Sequence, residues 1–150
     1  MVDWDARFIE LARHIAEWSK DRSTKVGAVI VDDNRVVISM GYNGFPRGID
    51  DTVEEYHERP AKYKWTEHAE RNAIFNAVRQ GVSTMGCTIY LPWFPCMDCA
   101  RAIAQAGITK VVAIEPNFDD ERWGSDFRQS LSLFKQCGIS VKWHEDKPPS

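Results

Sequence analysis

The sequence has 150 residues, 43% hydrophobic and 27% charged, with six Trp, four Tyr and seven Phe. That is the length of one ordinary domain with enough apolar material for a core, which excludes disordered, collagen-like and coiled-coil classes and removes the need for a disulfide staple. The net charge of −3, with 19 Lys and Arg scattered among acids, argues against a polynucleotide partner, which takes a clustered basic surface. The N-terminal run MVDWDARFIE is charged, unlike a secretory signal, and no apolar run approaches the ~20 residues of a membrane helix. The expectation is a soluble cytoplasmic enzyme or binding module without membrane contact.

Residues 1–20 read as an amphipathic helix with Asp3 as N-cap, because Trp4, Phe8, Leu11, Ile15 and Trp18 recur every three or four positions. Val26–Val31 and Arg35–Met40 are β-rich runs joined by Asp32-Asp33-Asn34, the composition of a tight hairpin turn. From Gly41 to Trp65 the pattern vanishes into a long loop, a feature more often functional than idle. Helical spacing returns in EHAERNAIFNAVRQ, with Ala69, Ala73, Ile74, Ala77 and Val78 on one face and Gly81 as the stop.

A strand follows at Cys87–Leu91, then a breaker-rich turn at Pro92–Pro95 and a helix at Cys96–Ala106. Lys110–Ile114 reads as a strand, Ser125–Gln136 as a helix and Ile139–Trp143 as the last strand, leaving a polar tail at 144–150 that is expected to fray. The order α-β-β-α-β-α-β-α-β, with strand–helix–strand alternation in its later part, implies parallel pairing and crossover helices. The expected fold is a single three-layer α/β/α domain over residues 1–150, with its core about 4–143. Its five-stranded mixed sheet has the first two strands as an antiparallel hairpin and the last three parallel.

Four cysteines lie in a chain without an export signal, so a disulfide framework is not expected. Cys87 and Cys137 sit among apolar neighbours and read as core. Cys96 and Cys99 form a C-x-x-C pair opening a helix, and His68-Ala69-Glu70 opens another. One His and two Cys make a three-ligand zinc site with the fourth position free, the stoichiometry of a catalytic centre. Two cysteines in a first helical turn lie on one face, where unpaired N–H groups and the helix dipole favour thiolates. One imidazole and two thiolates leave the ion formally neutral, so a base is needed, and Glu70 is placed to supply it. A zinc ribbon would need a second ligand pair, and a thioredoxin-like pair would leave His68 and Glu70 without a role. H-x-E followed by P-C-x-x-C is the pattern of the zinc nucleobase deaminases, in which an activated water attacks the amidine carbon while the Glu shuttles protons.

The segments STKVGAVI (Ser23–Ile30), GYNGFPRG (Gly41–Gly48), HAERNAI (His68–Ile74) and PCMDCARAI (Pro95–Ile103), with Gly107-Ile108 and Val111-Val112, resemble the deoxycytidylate deaminases of the cytidine deaminase superfamily over roughly residues 4–143. The resemblance implies zinc ligation by His68, Cys96 and Cys99, proton transfer by Glu70, and a sugar or base contact from Asn43. It also implies a substrate wall that includes Ala69, with Ser23, Lys25 and Arg47 as phosphate candidates. Trp93 and Phe94 are candidates to stack on the base, or else pack in the core. A homo-oligomer, dimer or hexamer, is expected on the same ground, with the loop aromatics Tyr56, Tyr63 and Trp123 equally suited to an interface or to loop packing.

Two departures stand out. The long loop contains His57 but no cysteine, so one zinc per chain is expected rather than two. Arg71 follows Glu70, and Trp65-Thr66-Glu67 precedes His68, in place of the small or cysteine-containing lead-in expected there. The functional expectation is hydrolysis of dCMP to dUMP and ammonia. Deamination of another cytosine nucleotide, nucleoside or modified pyrimidine stands as the alternative, with tRNA or single-stranded DNA editing and a non-catalytic module behind it.

Overall fold

The structure, a computed structural model, describes residues 1–146. In chain order it holds α1 (Trp4–Ala16), β1 (Gly27–Val31), β2 (Val37–Tyr42), a 3-10 turn (Glu54–His57), the single-turn α2 (Lys62–Trp65) and α3 (Ala69–Gln80). Then come β3 (Thr88–Leu91), α4 (Met97–Gln105), β4 (Lys110–Ala113), α5 (Gly124–Gln136) and β5 (Ser140–Trp143). The last four residues of the expected tail lie outside the described residues. No helix among those described is long and apolar enough to cross a membrane.

The strands form one sheet in the order β2-β1-β3-β4-β5. β1 is antiparallel to β2, and β3, β4 and β5 run parallel, as the sequence order implies; β1 is also antiparallel to β3. Alternation along the strands divides the core. Ile30, Ile89, Leu91, Val111 and Ala113 face α3, α4 and α5 through Ala73, Ile74, Ala100, Ile103 and Phe134. Val29, Val31, Tyr90 and Val112 face α1 through Phe8, Ile9 and Ala12. The crossovers from β3 to β4 and from β4 to β5 progress in one direction and place α4 and α5 on the same face.

The antiparallel setting of β1 has a consequence for function. Its N-terminal end, the C-terminal end of β2 (Gly27 opposite Tyr42) and the C-terminal ends of β3 and β4 all lie along one edge of the sheet. Ligand sites of open α/β sheets form outside the carboxyl ends of the strands. Gly41 brings α3 close to this edge: a Cβ there would lie 2.3 Å from the Ala73 nitrogen and 2.6 Å from the Ala69 carbonyl oxygen.

The structure revises several local expectations. α1 ends at Ala16, leaving Trp18 beyond it and 52% exposed. β2 starts at Val37 rather than Arg35, because the Asp32 carboxylate accepts from the Asn34 and Val36 amides and Arg35 takes a left-handed conformation (φ 63°). Val78 points outward at 69% exposed, and the buried face of α3 runs through Ala69, Glu70, Ala73, Ile74 and Ala77. Cys87 is buried, but Cys137 at the end of α5 is exposed and not part of the core.

The long segment after β2 is ordered by side chains rather than by apolar periodicity. Tyr56 stacks on Trp65 at 4.1 Å, Phe45 meets Tyr56 and His57, and His57 Nε2 lies 2.6 Å from the Asp51 carbonyl oxygen. Tyr63 accepts a hydrogen bond from Arg122 at 2.7 Å.

Candidate active site

Glu67 pairs with Gly44 in an isolated β-bridge, which pins the start of α3 beside the end of β2. His68 is the N-cap residue of α3, and Cys96 is that of α4, immediately after the β3 turn. His68 Nδ1 lies 3.5 Å from Cys96 Sγ and 3.3 Å from Cys99 Sγ. In a tetrahedral site with Zn–S of about 2.3 Å and Zn–N of about 2.0–2.1 Å, an N···S edge measures about 3.5 Å. The donor set and its spacing therefore fit zinc. Among the described residues it is the one group of three His, Cys, Asp or Glu side chains with ligand atoms close enough to share an ion, all within 4.8 Å of one another.

Cys99 is buried, Cys96 half-buried and His68 exposed, so the site is anchored inside and open on the His68 side. Its protons are shared unevenly. Contact with Cys96 pushes the His68 imidazole up to about 9. The Cys96 thiol is drawn down to about 4, first by hydrogen bonding with Cys99 and further by His68, against its burial. Cys99 is pushed up by Cys96 and by burial. A thiolate, an imidazolium and a thiol thus stand where a divalent ion would replace the protons.

Glu70, in the first turn of α3, is 4% exposed, and burial pushes its carboxyl above the usual range. A carboxyl of raised pKa beside a metal triad is suited to both taking and giving a proton near neutral pH.

The other expected site residues divide. Asn43 is buried with its amide committed to the main chain: Oδ1 accepts from the Val26 amide at 2.8 Å and Nδ2 donates to the Thr24 carbonyl at 2.8 Å. It knits the β1 entrance to the β2 end and lines a cavity of about 250 Å³ together with Trp18, Phe45, Arg47, Tyr56 and Lys62. None of His68, Glu70, Cys96 and Cys99 lines that cavity. Arg47 also lines it, and its guanidinium donates to Asn76 Oδ1 at 2.7 Å.

Lys25 is exposed in the turn leading into β1, on the triad's edge of the sheet. Trp93 is 56% exposed in the turn after β3 on that same edge. Phe94 is not available to stack on a base: it is 5% exposed and packs on the rings of Phe118, Phe127, Phe134 and Trp143. In this turn Trp93 is directed outward and Phe94 into the core. Ala69 is also core, 0% exposed in the cluster beneath α3, so its side chain presents nothing to a ligand.

Ser23 belongs to a brace that composition does not reveal. Its hydroxyl donates to Asp21 Oδ1 and accepts from Lys62 Nζ, while Lys62 also donates to Asp21 Oδ1 at 2.9 Å. The Asp21 and Lys62 side chains are only 8% and 14% exposed. Burial alone would push Asp21 up, but the Thr24 and Ser23 amides and Lys62 outweigh it and hold the carboxyl at about 2. Such a depressed carboxyl stabilises the fold above its ordinary pKa of 3.8, and that contribution is lost as pH falls towards 2. Asp21→Asn is therefore expected to lower unfolding free energy by about 2 kcal/mol at pH 7 and by much less near pH 2.5, read from urea unfolding at both pH values. An equal loss at both pH values would assign the effect to packing.

The unexpected lead-in to His68 is likewise self-paired. Glu67 Oε1 accepts from Arg71 Nε at 2.9 Å and from the His68 amide at 3.2 Å, and the Arg71 guanidinium lies over Phe75.

A family model described as the cytidine and deoxycytidylate deaminase zinc-binding region matches residues 2–115. An uncharacterized deaminase in the luxG 3' region of Aliivibrio fischeri is 45% identical over 141 residues, covering 93% of this chain and 92% of its own. The deoxycytidylate deaminase of Homo sapiens is 33% identical over 146 residues, covering 94% of this chain and 79% of its own. The crystal structure of the dCMP deaminase from the cyanophage S-TIM5, in complex with dCMP and dUMP, aligns with a TM-score of 0.75 at 25% identity, covering 93% of this chain and 95% of that one. The zinc-fitting triad at the carboxyl edge of the sheet and a family match over most of the sequence agree: this chain belongs to the cytidine and deoxycytidylate deaminase family.

Proposed function

We propose that the protein hydrolyses dCMP to dUMP and ammonia, using one zinc ion per chain held by His68, Cys96 and Cys99. The observation that carries the chemistry is the buried Glu70 beside that triad. The substrate rests on relatives that act on deoxycytidylate.

A zinc ion supplies Lewis-acid chemistry that makes water a nucleophile near neutral pH. The chain's own groups do the rest. The Glu70 carboxylate takes a proton from the attacking water and delivers it to the ring nitrogen next to the amidine carbon. As the C–N bond breaks, Glu70 carries the second water proton to the departing amine, which leaves as ammonia, and the former water oxygen stays as the carbonyl of the product. Trp93 offers a ring to the base at the open edge, and Lys25, which makes no ion pair among the described residues, offers a charge to the phosphate.

A homo-oligomer, dimer or hexamer, belongs to the same proposal. The edge strand β2 exposes Val37, Met40 and Tyr42, and α3 beside it exposes Phe75 and Val78. A nucleic-acid substrate is not part of it, given the net charge of −3.

The test is ultraviolet absorbance loss by the zinc-loaded protein on dCMP, deoxycytidine and CMP in parallel. Rapid turnover of dCMP with the other two slow is the expected result. Faster turnover of deoxycytidine would remove the phosphate from the reading, and no turnover of any of the three would move the substrate elsewhere.

A further inference from the structure

The metal helix has no cap of its own. Cys96 occupies the N-cap position of α4 but makes no capping hydrogen bond, because its sulfur faces the triad. The first N–H groups of a helix have no intrahelical acceptor, and an unsatisfied one that is partly buried destabilises that turn. Here the acceptor comes from another helix: Asp126 Oδ2 receives the Met97 amide at 2.9 Å, in a part-buried contact between residues 29 positions apart.

The contact is held from both sides. Asp126 lies in the first turn of α5, so the N-terminal ends of two helices converge on one carboxylate. The next residue, Phe127, packs its ring against Phe94 at 6.2 Å, two positions before Cys96. Gly124 lets the start of α5 pack on its own preceding loop, where a Cβ would lie 2.3 Å from the Phe118 carbonyl oxygen. Consecutive residues of α5 thus grip the Phe94–Met97 turn, one by its main chain and one by its ring.

We propose that Asp126 is a positioning residue for the metal site: by accepting the Met97 amide across the α4–α5 contact, it fixes the first turn of α4 and with it the directions of Cys96 and Cys99. It lies outside the His68–Cys96–Cys99 group. The inference rests on the triad being a zinc site, and its effect is on how firmly the ion is retained.

The experiment follows zinc transfer from the loaded protein to a chromophoric chelator, with the thiolate-to-cobalt band of the Co²⁺-substituted protein as a second readout. D126A is expected to release zinc about tenfold faster and to alter that band, the scale of losing a helix cap and an outer-shell partner together. D126N, which keeps an acceptor oxygen without the charge, is expected to restore slow release. Y90F removes the 2.9 Å bond to Asp5 on the opposite face of the sheet and is expected to leave release unchanged. Should D126A not fold, D126S, whose hydroxyl is too short to reach Met97, carries the same expectation.

Release from D126A at the wild-type rate overturns the inference. So does release from D126N as fast as from D126A, or an equal acceleration by Y90F, since a general loss of stability would then suffice. A wild-type protein that takes up no zinc overturns the metal reading and this inference together.

Discussion

Glu70→Gln is expected to lower kcat by about 10²–10⁴-fold, the range that general acid–base catalysis contributes, while zinc content stays at the wild-type level. Glutamine keeps the shape of the side chain but can neither take the water proton nor return one. The separation of activity from metal content follows from geometry, because Glu70 lies outside the His68–Cys96–Cys99 group. Stability should move the other way. Burial raises the Glu70 carboxyl above its ordinary value, so in the metal-free protein its ionised form opposes folding above that ordinary value and is relieved as pH falls. Removing the charge should leave the metal-free variant melting at or above the metal-free wild type near pH 7. A Gln variant within tenfold of wild-type kcat would sink the proton-transfer role, and loss of zinc along with activity would make Glu70 a ligand instead.

Which parts of this molecule could be read from its sequence depends on whether the cause is local. The strands after residue 80 are short apolar runs between glycine stops, and their parallel pairing follows from the helices between them. His68, Glu70, Cys96 and Cys99 were legible because each motif opens a helix, and helix N-termini at the carboxyl edge of a sheet are fixed in space by connectivity. Asp126 and Lys62 were not, since neither carries a signal in its own neighbours. Their meaning comes from contacts to Met97 and Asp21, 29 and 41 residues away. Phe94 shows the opposite failure. Composition allows an aromatic before the metal helix to stack on a ligand, and only the ring cluster around it assigns it to the core. Asn43 lies between these cases: its position at the end of β2 was legible, but the main-chain partners that occupy its amide were not.

The triad also joins two helices that carry different parts of the chemistry, and Cys99→Ala tests that coupling. α3 brings His68 and Glu70, and α4 brings Cys96 and Cys99. The ion is expected to stabilise the protein by bridging their first turns. Cys99 is the fully buried member, and its thiol is pushed up, so zinc uptake displaces a proton there and should weaken at acid pH. Removing the sulfur leaves one thiolate and one imidazole, so affinity should fall by more than the roughly 10–100-fold caused by losing an outer-shell partner. Turnover should fall with it, below detection at micromolar zinc. Thermal unfolding with and without zinc separates this from a simple packing defect. At a hundredfold excess over Kd a ligand adds about 2.7 kcal/mol, which for a chain of this size raises Tm by roughly 5–11 °C. That rise is expected in the wild type and absent in C99A, whose Tm should fall near that of the metal-free wild type. Equal stabilisation of both proteins by zinc would place the ion somewhere other than between α3 and α4, and the proposed chemistry would then have no metal at Glu70.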